Sequence, residues 1–143
     1  MPTLEKAIQI AVNSHQGQKD NAGAPYILHP LRLMMNMDSD SEKIVAVLHD
    51  VLEDTSVTAD QLRAEGFSDE IIAAIECLTR DEGESYEDFI KRTKGNPLAR
   101  RVKLADIEDN MNIRRIRNIT DQDLQRLERY HRAWRALSEA HGN

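Results

Sequence analysis

Apolar residues recur at helical spacing along almost the whole chain, and no stretch alternates in the way typical of β-strands. The first such face consists of Leu4, Ile8 and Ala11, and it begins after Thr3, a residue type that favours helix N-caps. Similar patterns follow to about residue 140, separated by turn formers and by sequences such as the capping box at Thr58. The pattern therefore predicts an all-α fold.

The most apolar of these helices is predicted to begin with Ser41 as its N-cap and to continue to about residue 54. Its segment 44–48 is apolar on nearly every side, so we expect it to be buried. Four ionisable residues stand at its C-terminal end: His49, Asp50, Glu53 and Asp54. In a continuous helix, residues four apart lie above one another, so these residues form two adjacent columns. Burying charges is costly unless they are paired or bind a metal, so this helix needs a cation, basic partners or an open cleft.

Two other predicted helices carry polar residues that could meet this one. The second helix begins at His29, with Pro30 suited to its first helical position. The penultimate helix, predicted over about 97–117, contains Asp106 and Asn110, which share a face because they are four residues apart. Three segments of the chain thus offer candidate functional side chains.

Composition narrows the classes of function. The 143 residues fit one domain, and we expect residues 1–143 to form a single domain with a motif-bearing core over about 4–118 and a covering helix over about 121–140. The formal net charge of −6 argues against a broad basic face for nucleic acid. One cysteine cannot form an internal disulfide, and no apolar segment resembles a signal peptide or a membrane span. We therefore expect a cytoplasmic protein with neither nucleic-acid nor membrane partners, while the pattern does not indicate an oligomeric state.

Two imidazoles and two carboxylates form a candidate ligand set for a divalent cation: His29, His49, Asp50 and Asp106. Nitrogen and oxygen donors without thiolates suit Mn²⁺, Fe²⁺, Co²⁺ or Zn²⁺ and argue against a closed structural zinc site. A bound dication makes water more acidic and neutralises phosphoryl oxygens, which indicates phosphoester hydrolysis. Glu53 and Asp54, one turn further along, are candidates to orient that water and to move its proton. On spacing alone, ion pairs with nearby arginines and lysines explain the presence of these charged residues as well as a metal site does.

Three blocks of the sequence resemble the HD-domain phosphohydrolases, a family named for an adjacent His-Asp pair. The blocks are residues 23–30, 45–55 and 102–110, within a resemblance that covers about 4–118. Their order, with Glu53-Asp54 after the His-Asp pair, is similar to the hydrolase domain of Rel/SpoT enzymes. It is also similar to stand-alone small alarmone hydrolases, including the metazoan SpoT homologues.

The resemblance implies an all-helical HD bundle in which the four candidate ligands hold one Mn²⁺, with other divalent transition metals as alternatives. It also implies Mn²⁺-dependent removal of the 3′-pyrophosphate from (p)ppGpp, giving GDP or GTP. Glu53 and Asp54 would then activate the water or assist proton transfer at the leaving group. Asn110 would contact the ribose or the 3′-pyrophosphate, and Lys19 the substrate phosphates. Tyr26 is a candidate wall of the pocket, and core packing is the competing explanation for it.

One departure from the family concerns the nucleobase. Gln18 stands where the relatives have an arginine that helps to hold the base, so the purine preference is open. One alternative is therefore an HD phosphohydrolase that acts on another nucleotide, such as (p)ppApp or the 2′-phosphate of NADPH. A second alternative is a catalytically silent nucleotide-binding or helical partner module, against which the presence of all six candidate metal and acid residues argues. No synthetase sequence follows, so alarmone synthesis is not expected from this chain.

Overall fold

The computed structural model describes residues 2–139 as a bundle of helices. The bounds are α1 Leu4–Ser14, α2 Leu28–Met35, α3 Asp40–Leu48, α4 Val51–Asp54, α5 Ala59–Ala64, α6 Asp69–Cys77, α7 Tyr86–Lys94, α8 Pro97–Asn110 and α9 Asp121–Ser138, with a 3₁₀ helix at Ile113–Arg115. Over the described range, β pairing is confined to one isolated antiparallel bridge between Lys19 and Pro25. The predicted all-α class is confirmed. None of the described helices is long and apolar enough to cross a membrane.

Helix α3 lies at the centre of the larger of two hydrophobic clusters. Its residues from Ile44 to Leu48 are at most 3% exposed, as their apolar surface predicts. Helices α1, α2, α6 and α8 pack around it. Because α3 is surrounded on all these sides, the residues that follow Leu48 are carried into the interior of the bundle.

The second hydrophobic cluster joins α7, α8 and α9. Its buried members are Phe89, Ile90, Ile107, Ala133 and Leu137. Leu124, an apolar residue of α9, is 55% exposed and lies outside this cluster. The covering helix was predicted to reach residue 140, which lies outside the described residues, as do residues 1 and 141–143 of the predicted domain.

The predicted N-cap of α3 is two residues too late. The Ser39 hydroxyl accepts the backbone N–H of Glu42 at 3.2 Å, and the Glu42 carboxylate accepts the N–H of Ser39 at 3.1 Å. These two bonds form a capping box, which requires the three-residue spacing that Ser39 has to Glu42. Ser41 therefore lies in the first turn of the helix.

Helix α8 also ends earlier than predicted. It stops at Asn110 instead of continuing to about residue 117, and the short 3₁₀ helix follows. The Asn112 side chain accepts the backbone N–H of Arg114 at 3.3 Å. Such a local bond gives the backbone an alternative to further helix.

Arg92 of α7 closes the C-terminal end of α6. Its guanidinium donates to the carbonyl oxygens of Cys77 at 3.3 Å and Thr79 at 2.8 Å, groups that a helix end leaves without intrahelical donors. The same guanidinium forms two 2.9 Å bonds to the carboxylate of Glu84. Arg92 thus holds the connection between α6 and α7, which passes beside the candidate active site.

Replacing this residue, Arg92→Met, is expected to lower the free energy of unfolding by about 1–2 kcal/mol, since it removes charged hydrogen bonds but keeps most of the aliphatic stem. Urea denaturation measures the change. The control Arg132→Met removes an exposed ion pair to Glu128 and is expected to cost less than about 0.5 kcal/mol. Equal losses in the two variants would contradict a special role for Arg92.

Candidate active site

The segment with four ionisable residues is two helices and not the single helix that was predicted. Helix α3 ends at Leu48, α4 begins at Val51, and Asp50 between them has φ −105° and ψ 0°. Neighbouring residues of a continuous helix do not face each other. The break turns both polar residues to one side, so that Nε2 of His49 lies 3.0 Å from Oδ2 of Asp50.

His29 contacts α8 through both of its ring nitrogens. It lies in the first turn of α2, where Nε2 is 2.8 Å from Oδ1 of Asp106 and Nδ1 is 2.6 Å from Oδ2 of Asp109. Burial disfavours the charged ring, but hydrogen bonds to the two carboxylates outweigh burial and raise the pKa of His29 to about 9. The ring is thus held between two residues of one helix face.

Side chains from α2, from the α3–α4 break and from α8 come together at one place. Donor atoms of His29, His49 and Asp50 lie within 4.8 Å of one another. Oδ1 of Asp106 lies 3.5 Å from Nε2 of His49. The structure therefore brings all four candidate ligands into one cluster, in which the two histidines and Asp106 are at most 5% exposed.

The protonation of His49 tests whether this cluster fits a cation. Its Nδ1 lies 2.7 Å from the carbonyl oxygen of Ala46, which can only accept, so Nδ1 carries the proton. Its Nε2 is buried without a hydrogen-bond partner among the described residues, although Asp50 and Asp106 oxygens face it. A lone pair opposite two carboxylates is repulsive unless a cation or a proton lies between them. Imidazole nitrogen and carboxylate oxygen are donors that divalent transition metals accept, so the cluster fits such an ion.

Ion pairing, the competing explanation, accounts for only one of the two carboxylates. Lys103 donates to Oδ2 of Asp106 at 2.8 Å, and although burial opposes its charge, Asp106 raises the pKa of the lysine. Asp50 instead accepts a hydrogen bond from the hydroxyl of Tyr26. Burial first, and then the charges of Asp106 and Asp54, raise the pKa of Asp50 well above its usual range. A cation beside Asp50 would relieve this unfavourable burial.

The two candidate acids lie on α4 at the open side of the cluster. The carboxylates of Glu53 and Asp54 approach that of Asp50 within 4.8 Å, and both residues are exposed. The backbone N–H of Arg80 donates to Oε1 of Glu53 at 2.9 Å, which fixes this carboxylate from the α6–α7 connection. Two exposed carboxylates beside a half-buried one can therefore reach a water molecule in the cleft.

Two adjoining cavities open from the cluster. One has a volume of about 280 Å³ and the other of about 960 Å³, and Tyr26, His29, Asn110 and Tyr130 line both. The smaller cavity is also lined by the basic residues Arg80, Lys103 and Arg129. The larger is also lined by the basic residues Lys19, Arg115, Arg117 and Arg126. Sites of this size bind small molecules. The basic residues of the larger cavity outnumber its two carboxylates, which suits an anionic ligand, whereas the smaller cavity has the carboxylates of the cluster and of α4 beside its basic residues.

The three candidate substrate contacts lie at different depths in these cavities. Asn110 donates to Oδ1 of Asp106 at 3.2 Å, so it stands beside the ligand cluster. Tyr26 contacts the cluster through Asp50 and also lines both cavities. Lys19 is exposed at the larger cavity, away from the cluster. Their contacts with substrate stay predictions.

Sequence analysis overlooked two residues that contact the candidate ligands. Lys103 precedes Asp106 by three residues, and Asp109 follows it by three, which places all three on one face of α8. A charged residue three positions from a candidate ligand is a signal that could have found both.

Relatives among known proteins match most of this chain. No family model matches it. Over 120 residues, 76% of the chain, it is 32% identical to a guanosine-3′,5′-bis(diphosphate) 3′-pyrophosphohydrolase of Aquifex aeolicus. Over 121 residues it is 30% identical to a GTP pyrophosphokinase of Streptomyces coelicolor. The matched stretch spans only 17% and 14% of the lengths of these two relatives.

A solved structure shares the fold. It is that of a metazoan ortholog of SpoT, described as hydrolysing ppGpp and playing a role in starvation responses. The TM-score is 0.74 at 21% identity, and the match covers 98% of this chain and 86% of the other. The resemblance to Rel/SpoT enzymes that the three sequence blocks predict is thus confirmed, and the all-helical fold is shared with the metazoan SpoT ortholog.

Substituting one candidate ligand, Asp50→Asn, is expected to weaken Mn²⁺ binding by at least about tenfold, since it removes an anionic donor and keeps the side-chain shape. Isothermal titration of dialysed protein measures this affinity. Asp88→Asn, which neutralises an exposed carboxylate on α7, is the matched control and should bind like the unmodified protein. Unchanged affinity in the Asp50 variant would contradict the ligand assignment.

Proposed function

We propose that this chain, which resembles the hydrolase region of Rel/SpoT enzymes in sequence and fold, removes the 3′-pyrophosphate from (p)ppGpp with the aid of Mn²⁺. The observation that carries the proposal is the cluster of His29, His49 and Asp106, all buried, with the half-buried Asp50 and the unpaired His49 nitrogen. A single domain over residues 1–143 and a cytoplasmic location without nucleic-acid or membrane partners are parts of the same proposal.

Four residues would hold the metal: His29, His49, Asp50 and Asp106. When bound, a divalent cation neutralises phosphoryl oxygens and makes water more acidic. Around it, this chain supplies fixed donors, because His49 is held by a backbone carbonyl and Asp106 by Lys103. A cluster held in this way needs little rearrangement when it takes up a cation.

Glu53 and Asp54 would carry out the proton transfers. Oε1 of Glu53 accepts the N–H of Arg80, which leaves its second oxygen free for water. The water oxygen forms a bond to the phosphorus next to the ribose, and the bond from that phosphorus to the 3′-oxygen breaks. One carboxylate takes up a proton from the water, and the departing 3′-oxygen gains one. The products are GDP or GTP and pyrophosphate.

The basic residues that line the two cavities support a phosphate-rich substrate. The smaller one, with Arg80 and Arg129 in its lining, would take the 3′-pyrophosphate next to the metal cluster. The larger one, lined by Arg115, Arg117 and Arg126, would take the remainder of the nucleotide. Asn110 lines both, which suits a contact to the ribose between them. These cations are concentrated here although the chain as a whole is acidic, with a net charge of −6.

Neutralising either acid, by Glu53→Gln or Asp54→Asn, is expected to lower kcat by at least about 100-fold, because a positioned proton acceptor is lost. Pyrophosphate release from ppGpp in the presence of Mn²⁺ measures it. Glu82→Gln, an exposed carboxylate of the α6–α7 connection, is the control and should keep full activity. If the unmodified, Mn²⁺-loaded protein released no GDP and pyrophosphate, the proposed reaction would be wrong.

A second candidate, hydrolysis of another nucleotide, is favoured by the position of Gln18. Its Oε1 is 2.9 Å from Nδ1 of His15, and its Nε2 donates to the carbonyl oxygen of Asp54 at 3.2 Å. The side chain is thus engaged inside the fold and does not line either cavity. The residue that stands in the place of the family arginine is therefore not placed to hold a base.

Base selection is accordingly expected to be weak, with kcat/KM for ppGpp and ppApp within about tenfold of each other. Parallel assays of pyrophosphate release from the two nucleotides measure the ratio, and phosphate release from NADPH is measured beside them. A preference for guanine of more than about 100-fold would show that other residues select the base. Turnover of NADPH alone would favour the second candidate.

A further inference from the structure

Asp109 contacts the candidate metal ligand His29 on the side facing away from the cluster. Its Oδ2 lies 2.6 Å from Nδ1 of the imidazole, while Nε2 of the same ring faces Asp106. Both partners are shielded from solvent, since the side chains of His29 and Asp109 are 7% and 13% exposed. The contact is therefore a short, buried hydrogen bond to a carboxylate.

The Asp109 carboxylate is itself fixed by a second helix. Arg32 of α2 donates through Nε to one carboxylate oxygen at 2.8 Å and through a terminal nitrogen to the other at 2.9 Å. A bidentate pair of this kind fixes the orientation of both groups. Arg115 adds a longer contact of 3.4 Å to the same carboxylate. Asp109 thus presents one oxygen to the imidazole from a position that cannot rotate freely.

This geometry sets which nitrogen of His29 carries the proton in the neutral ring. A carboxylate flanked by a guanidinium only accepts, so Nδ1 keeps its hydrogen and Nε2 presents a lone pair to the cluster. The second candidate ligand, His49, reaches the same tautomer differently, through a 2.7 Å bond to a neutral backbone carbonyl. A carboxylate that accepts the Nδ1 hydrogen also makes the Nε2 atom of an imidazole a stronger electron-pair donor to a metal than a carbonyl acceptor does.

We propose that Asp109, braced by Arg32, is a positioning residue that fixes the tautomer and ring orientation of His29 and thereby raises the affinity of the site for a divalent cation. The inference rests on the proposed function, because it requires the metal site, but it does not depend on the substrate. It assigns a role to a residue that makes no direct contribution to the ligand set.

The test compares Asp109→Asn with Glu108→Gln, the neighbouring carboxylate on α8. Glu108 accepts the Trp134 indole N–H at 2.9 Å, and a glutamine at this position can accept the same bond. This variant therefore removes one negative charge, as Asp109→Asn does, but at a residue that does not contact His29. Mn²⁺ affinity is measured by titration well below the unfolding temperature. Asp109→Asn is expected to weaken binding by about 10- to 100-fold, and Glu108→Gln to leave it unchanged.

Two further measurements separate positioning from general stability. In Zn²⁺-loaded protein with ¹⁵N-labelled histidine, long-range ¹H–¹⁵N NMR is expected to show Nδ1 of His29 protonated, and Asp109→Asn should lose this single tautomer. Arg32→Gln keeps the Asp109 carboxylate but removes its bidentate ion pair, so it should weaken Mn²⁺ binding by a smaller factor. If the Asp109 variant does not fold, this variant tests the positioning role.

Three results overturn the proposal. The first is that Asp109→Asn and Arg32→Gln bind Mn²⁺ as tightly as Glu108→Gln does. The second is that the metal-free variants melt at a lower temperature but keep their Mn²⁺ affinity. An unmodified protein that binds no divalent cation would overturn it together with the metal site. An unmodified protein that binds Mn²⁺ but does not hydrolyse ppGpp would refute the proposed reaction alone, and the affinity comparison would still decide the role of Asp109.

Discussion

The structure depends on placing two carboxylates and two imidazoles together where water barely reaches. His49 is 2% exposed and turns an unpaired nitrogen towards Asp50 and Asp106. Such a group of acceptors repels itself unless a positive charge lies among them. The apolar helix α3 carries it inside nonetheless, because five consecutive residues before His49 are at most 3% exposed and fix that helix in the core. The packing of α3 thus holds the buried Nε2 of His49 opposite two carboxylates.

The surrounding residues satisfy the outward-facing atoms of the cluster and leave the inward-facing ones available. A backbone carbonyl accepts the hydrogen bond from Nδ1–H of His49, Asp109 lies at Nδ1 of His29, and Lys103 pairs with Oδ2 of Asp106. In each case the atom left over, Nε2 or Oδ1, is turned to the same small space. Atoms directed in this way need no reorganisation to receive a ligand.

Much of this was accessible from the sequence, and what was not has physical reasons. Helical periodicity predicted the all-α class. Residue types indicated the four candidate ligands, three at the ends of apolar helices and Asp106 within the penultimate helix. The break at His49 could not be predicted, because the apolar and acidic residues on either side of it fit one continuous helical pattern. The role of Asp109 depends on its approach to α2, and Leu124 is apolar but exposed; neither fact follows from spacing along one helix.

The cavities are lined by two separate parts of the chain, and this separation bears on how such a protein can diversify. The candidate metal ligands come from α2, the α3–α4 break and α8, whereas much of the larger cavity is formed by residues between Asn112 and Tyr130. Substitutions in that later segment would alter what is recognised without touching a single coordinating atom. Selection could therefore retune molecular recognition through residues 112–130 while the candidate ligands are inherited unchanged.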